Sequence, residues 1–184
     1  MIVAFDLTGA VSAVAWRFGD GRDGREAFPA ADASATLTPS LERLLAGGQE
    51  PLRMLGVVKG PGSFTGIRIA LATALGLQMS LEIPVLGFTV FELMAAGLGP
   101  GDYTLVLPGP GQTVFCAGYR CGKPAGPPRA CPGAALAGAY NLKGIRAIEG
   151  LNVEIVEQDP MCVCLDILAS EPDPARHDLE PLYL

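Results

Sequence analysis

The sequence predicts an α/β protein that opens on an antiparallel sheet and then alternates strand with helix. Three observations carry this prediction. Two short apolar runs, "IVAFDL" and "VSAVAW", are joined by Thr8-Gly9-Ala10, the pattern of a hairpin. Further on, the buried-strand runs "MLGVV" and "PVLGF" are each followed by a helix-length segment that opens on a Ser or Thr. Finally, 49% apolar against 17% charged residues over 184 positions is enough to bury a real core.

Taken in order, "REAFPA" adds a third strand to the opening hairpin. "TLTPSLERLLAGG" reads as a helix with Thr38 as N-cap, Pro39 in the first turn, and an apolar stripe of Leu41, Leu44 and Leu45 ending at Gly47. After "MLGVV" comes a glycine-rich turn, where Ser63 can cap a helix running to about Met79. "PVLGF" then precedes "TVFELMAAGL", a helix capped by Thr89, so the order to this point is β-β-β-α-β-α-β-α. Beyond Gly97 the texture changes. "GLGPGD" is a linker, "YTLVLPGPGQTVFCAGY" gives two strands around a Pro/Gly turn, and "GKPAGPPRACPGAALAGA" reads as a loose loop. Weak strands near Ile145 and Val153, a short helix from about Cys162 to Ala169, and "DLEPLYL" complete the chain. The expected organisation is an N-terminal lobe over 1–100 and a smaller second lobe over 101–184.

A net charge of -6, a pI near 4.7 and the lack of any Lys/Arg run argue against a chain that grips nucleic acid by itself. "MIVAFDLTGA" lacks the basic flank of a secretory signal, and no apolar stretch is expected to reach the roughly 18 residues of a membrane helix, so a cytoplasmic protein is predicted. The five cysteines are odd in number and lack the paired spacing of a zinc site or disulfide framework; they read as reduced thiols. The single histidine, His177, stands beside Asp178 and reads as a solvated tail residue.

The stretch "VVKGPGSFTGIRIALATALGL" suggests a phosphate loop, because glycines let backbone N–H groups approach an anion at a helix start. The spacing fails that test. A Walker loop needs Lys then Ser or Thr after its last glycine, and here Gly66 is followed by Ile67 and Arg68. A dinucleotide fingerprint needs a third glycine where Thr65 stands, with Gly66 one residue late. The helix after the turn is unusual in another way. Ile67, Ala70, Leu71, Ala74, Leu75 and Gln78 form a side suited to a sheet, but the opposite side, Ile69, Ala72, Thr73, Gly76 and Met79, is also apolar or small. Arg68 is the only charge between Lys59 and Glu82, and an intramolecular carboxylate is its expected partner. Such a helix needs a cover on both sides, from the "LTPSLERLL" helix or from another chain.

These residues carry a family resemblance. The nine-residue string Gly60, Pro61, Gly62, Ser63, Phe64, Thr65, Gly66, Ile67, Arg68, followed by a small-residue helix and "PVLGFTVFELMA", resembles the signature of the TsaB (YeaZ) family, accessory subunits of bacterial tRNA threonylcarbamoyladenosine synthesis. The "IVAFDLTGAVSAVAW" opening, the "LTPSLERLL" helix and the "PLYL" ending match as well. The resemblance implies an actin-like (ASKHA, ribonuclease H-like) fold with a reduced second lobe. It implies a non-catalytic chain that binds the catalytic paralogue TsaD, with the ATPase TsaE joining the complex, a homodimer through the same helices when alone, tRNA met only through the complex, and no membrane partner. The expected interface is Leu41, Leu44, Ile69, Ala72, Thr73 and Gly76. No cofactor is required of this chain, with ATP or ADP allowed at the complex interface. The paralogue's His-x-x-x-His metal site has no counterpart in a chain with one histidine.

Asp6 and Thr8 stand where actin-like proteins place their first phosphate-binding hairpin, although an Asp before Thr-Gly is also ordinary turn chemistry. They support the competing reading of a standalone nucleotide-binding protein or ATPase. A peptidase is disfavoured by the absent catalytic pair. The chain departs from the family where an Asp-Ala-Arg segment is usual: Pro108, Gly109 and Pro110 stand there.

Overall fold

A computed structural model describes residues 1–47, 50–139, 141–157, 159–170, 172–173 and 178–184. His177 lies outside them. The chain forms two compact units. The first combines Met1–Val90 with Met161–Tyr183, and the second is Phe91–Pro160 with Leu184. The break thus falls earlier than residue 100. The segment Met161–Tyr183, next to the second lobe in sequence, belongs to the first unit because its helix supplies that unit's missing layer.

The first unit is an α/β layer structure. Strands β1 (Ile2–Asp6), β2 (Val11–Arg17) and β3 (Asp23–Pro29) are antiparallel, while β4 (Met54–Val58) and β5 (Val85–Phe88) add in parallel, giving the order β3-β2-β1-β4-β5. Helices α1 (Ala33–Ala46) and α2 (Phe64–Leu81) pack on one face of this sheet. There Val3, Phe5, Leu55 and Val57 meet Leu37, Leu41, Ile67, Ala70 and Ala74 in a common core. The alternate residues Ala4 and Gly56 point to the other face. Helix α4 (Pro160–Ala169) covers it, and Gly56 has no side chain because Cys164 and Leu168 occupy the space. Burial, with a smaller contribution from Asp6, pushes the Cys164 thiol well above the usual range.

Two expectations for this unit change. Helix α1 begins at Ala33, after a short 3₁₀ turn at Ala30–Asp32, so Thr38 is no cap and Pro39 sits inside the helix. Pro39 and Ala35 are both exposed, so the carbonyl that loses its helical N–H partner can turn to water. Helix α2 runs 18 residues at a mean hydropathy of 1.3, which by length and composition alone is enough for a membrane span. The expectation that no stretch approaches that size is therefore corrected. One side of α2 closes the core of a sheet, which accounts for the apolar residues of that side.

Helix α3 (Val90–Leu98) leads into the second unit. Its sheet contains β6 (Tyr103–Pro108), β7 (Thr113–Arg120), β8 (Lys123–Pro124), β9 (Arg129–Pro132), β10 (Leu142–Gly144) and β11 (Val153–Ile155), in the order β11-β10-β6-β7-β8 with β9 also paired to β7. The segment expected as a loose loop after Arg120 thus holds two short strands and a 3₁₀ turn, Gly133–Leu136. Its prolines cluster at strand ends, where no ladder N–H is needed. A small core of Val106, Val114, Cys116, Leu136 and Leu142 holds the unit together.

Candidate functional site

The motif loop joins β4 to α2, and each of its glycines is explained by a neighbour inside the first unit. A Cβ on Gly60 would strike the Leu182 carbonyl, one on Gly62 would strike the Thr8 carbonyl, and one on Gly66 would strike the Leu7 carbonyl. Gly60 and Gly62 also have φ of +118° and +153°, values that side-chain-bearing residues rarely adopt. Ser63 donates its N–H to the Thr8 carbonyl at 2.8 Å, and its Oγ accepts from the Gly66 N–H at 3.2 Å as a true N-cap. Pro61 is buried, and Thr65 is exposed on the first turn. The loop therefore works as a joint that clamps the start of α2 onto the β1–β2 hairpin.

This joint brings the Asp6–Thr8 hairpin directly against the motif. Asp6 Oδ1 accepts from both the backbone N–H and the hydroxyl of Thr8, each at 2.7 Å. That is an Asx turn, which explains the residue pair by local geometry. Arg68 does not find the expected carboxylate. Its guanidinium lies over the Phe64 ring, 5.4 Å from the centroid, and among the described residues no ion pair involves it.

A third element was not foreseen. The segment 178–183 runs across the joint, with Leu182 N–H donating to the Lys59 carbonyl at 2.9 Å and Tyr183 against Phe64 at a centroid distance of 5.0 Å. Lys59, nearly buried, donates from Nζ to Asp178 Oδ1 at 2.5 Å and to the Asp178 carbonyl at 3.2 Å. Gly87 lacks a side chain because the Asp178 backbone passes over it. The Lys59 ammonium first, and the Glu180 N–H second, hold the Asp178 carboxyl below the usual carboxylate range. An isolated Lys beside the first glycine was a faint signal for this contact, but its partner lies 119 positions away.

Helix α2 separates sharply into two sides. Ile67, Ala70, Leu71 and Ala74 are buried. Phe64 (56%), Leu75 (43%), Met79 (82%) and Leu81 (44%) are exposed, together with Ala72 and Gly76. Leu75, expected against the sheet, lies about 90° around the helix from the buried stripe and so falls outside it. Of the expected interface residues, Leu41 is corrected: at 4% exposure it belongs to the core, because the α1 stripe faces the sheet. Leu44 and Ile69 are half-buried against the same core and Thr73 is half-buried, leaving Ala72 and Gly76 fully on the outer side. A methyl group added to Gly76 would touch nothing within 4 Å.

The second unit has its own concavity of about 700 Å³, bordered by the β6–β7 turn (Pro108, Gly109, Gln112) and by the Arg146–Gly150 segment. Pro108 and Gly109, two of the three positions at which the sequence was expected to depart from Asp-Ala-Arg, are at its edge. Among the described residues no three His, Cys, Asp or Glu side chains converge as metal ligands would.

The motif joint, the hairpin it grips and the two-sided helix invite comparison with known proteins. Residues 30–118 match the family model described as TsaD, tRNA N6-adenosine threonylcarbamoyltransferase. The tRNA threonylcarbamoyladenosine biosynthesis protein TsaB of Buchnera aphidicola subsp. Schizaphis graminum is 37% identical over 62 residues, 32% of this chain and 30% of that protein. TsaB of Escherichia coli K12 is 41% identical over 46 residues, 25% and 20% of the two chains. Over these stretches the chain is similar to TsaB (YeaZ) proteins. These sequence matches span less than a third of the curated relatives' own length. The fold likeness is broader: the structure of YeaZ from Pseudomonas aeruginosa superposes with a TM-score of 0.70 at 20% identity, covering 100% of this chain and 99% of that one. The mixed α/β sheets are thus those of the YeaZ fold.

Proposed function

We propose that this chain is a non-catalytic subunit of tRNA threonylcarbamoyladenosine synthesis that binds a TsaD-like transferase through the outer side of α2. The observation that carries the reading is that exposed side: three large apolar residues, Phe64, Leu75 and Met79, lie on it with the small Ala72 and Gly76, and Arg68 is the only charge on the helix. Large apolar groups around small ones allow close helix-to-helix contact, and leaving them in water is unfavourable. In this reading the motif loop is a structural joint that sets the angle of α2, and the chemistry resides in the partner. A TsaE-like ATPase joins the complex, tRNA is met through it, and ATP or ADP bound at its interface needs no site built wholly from this chain. An actin-like ancestry fits a hairpin that keeps its Asp and Thr while using them for a turn.

The test is the solution mass of the purified chain, alone and mixed with the TsaD-like protein of the same organism, for wild type and Gly76→Arg. Because position 76 is open and Arg is a better helix former than Gly, the variant is expected to melt at or slightly above the wild-type temperature and to weaken association at least 100-fold, since an unpaired charge in an apolar contact is costly. A wild-type chain that ignores the partner would overturn the proposal. Magnesium-dependent nucleotide hydrolysis by the isolated chain, abolished by Asp6→Ala, would replace it with the standalone ATPase reading. A homodimer broken by Gly76→Arg would assign the same surface to self-association.

A further inference from the structure

Two thiols meet inside the second unit. Cys116 on β7 and Cys131 on β9 approach to 3.6 Å between their sulfurs. Strand register explains the meeting: Cys116 lies opposite Arg129 and Cys131 opposite Val114, so the two cysteines are diagonal neighbours on one side of an antiparallel pair. Cys116 is buried in the small core with Val114 and Leu136, while Cys131 is half-buried at its rim. The proximity was invisible in sequence, where the two are separated by a proline-rich segment without a recognisable spacing.

We propose that Cys116 and Cys131 are a reversible dithiol–disulfide pair that staples β9 to β7 when the protein meets hydrogen peroxide. The geometry assigns the two roles. Cys131 is the sulfur that solvent can reach, so a peroxide oxidises it first: Cys131 becomes a sulfenic acid and one water leaves. Cys116, as thiolate, attacks the Cys131 sulfur, the S–O bond breaks, and the departing hydroxide takes up the proton released by Cys116 to give the second water. Two electrons and two protons pass from the thiols to the peroxide. An S–S bond requires the sulfurs to close by about 1.5 Å, and because diagonal neighbours stand about 7–8 Å apart the two strands must draw together locally as it forms. The other cysteines are not placed for the reaction: Cys164 is buried under the first unit's sheet, and Cys121 and Cys162 are exposed. A dithiol reductant returns the pair to its starting state by exchange.

The experiment uses the full chain, reduced, freed of reductant and treated with hydrogen peroxide. Thiols counted in denaturant are expected to fall from five to three, peptide mapping to join the Cys116 and Cys131 peptides, and dithiothreitol to restore all five. The double variant Cys121→Ser/Cys162→Ser, altered at exposed positions only, is expected to go from three thiols to one. Its oxidised form should unfold at higher denaturant than its reduced form. An unchanged thiol count overturns the proposal. So does a linkage involving other cysteines, or conversion of Cys131 to a sulfinic acid with Cys116 still reduced.

Discussion

Gly66 and Gly76 stand on one helix, and a methyl group added to each would meet opposite surroundings. At Gly66 it would collide with the Leu7 carbonyl; at Gly76 it would meet nothing within 4 Å. Both residues lower the intrinsic helicity of α2 by roughly 1 kcal/mol relative to alanine. Only the first has a reason inside the fold, since it lets the helix start against the β1–β2 hairpin. The second leaves a shallow place on the outer side of α2, beside exposed apolar residues, and its reason must lie outside the unit. The pair teaches that a glycine count says little until each glycine's neighbour is known.

The largest expected effect follows from that contrast. Gly66→Ala should destabilise the chain by about 3 kcal/mol, because backbone on both sides of the contact must shift by more than helix propensity can offset. Gly60→Ala is expected to cost about 2 kcal/mol through strain at positive φ and displacement of the segment at Leu182. Gly76→Ala reverses the sign and should stabilise by up to about 1 kcal/mol, while leaving partner association measurable. Equilibrium denaturation of the three variants checks the series. If Gly66→Ala and Gly76→Ala moved stability in the same direction, the division of labour between the two positions would be lost.

The smallest effect probes the strap over the joint. Asp178→Asn is expected to cost somewhat under 1 kcal/mol at neutral pH, since the carboxylate is largely exposed although Lys59 is not. The folded-state pKa of Asp178 is depressed, so the pair stabilises the fold above the ordinary aspartate value and loses that contribution as pH falls through the folded value below it. Wild type and variant should therefore converge in stability below about pH 4, and a difference that persisted into acid would assign it to packing.

Much of the first unit was legible because its signals are local. Thr8-Gly9 closes a hairpin, Ser63 caps α2, and the spacing of Ile67, Ala70, Leu71 and Ala74 marks the sheet-facing side. What sequence could not supply were contacts between distant segments. The burial of Leu41, the Lys59–Asp178 pair and the approach of Leu182 to Gly60 depend on which elements the topology lays side by side. Arg68 shows the same limit on a smaller scale, since a carboxylate partner was the natural expectation and the preceding turn of its own helix held an aromatic ring. The start of α1 was misplaced because Pro39 is a strong local signal for a first turn, yet an exposed proline deeper in a helix is tolerated when water can reach the carbonyl it orphans. In the second unit, glycine and proline content masked β8 and β9, strands too short to show any alternation.

The first unit is built from both ends of the chain, and its α4 layer and the segment over Gly60 are synthesised after Phe91–Pro160. During vectorial translation the early half of that unit must therefore wait, its β4 face lacking Cys164 and Leu168, while an entire second unit is made. The motif joint reaches its final packing only when Leu182, synthesised more than a hundred residues after the glycine it covers, is free to pack.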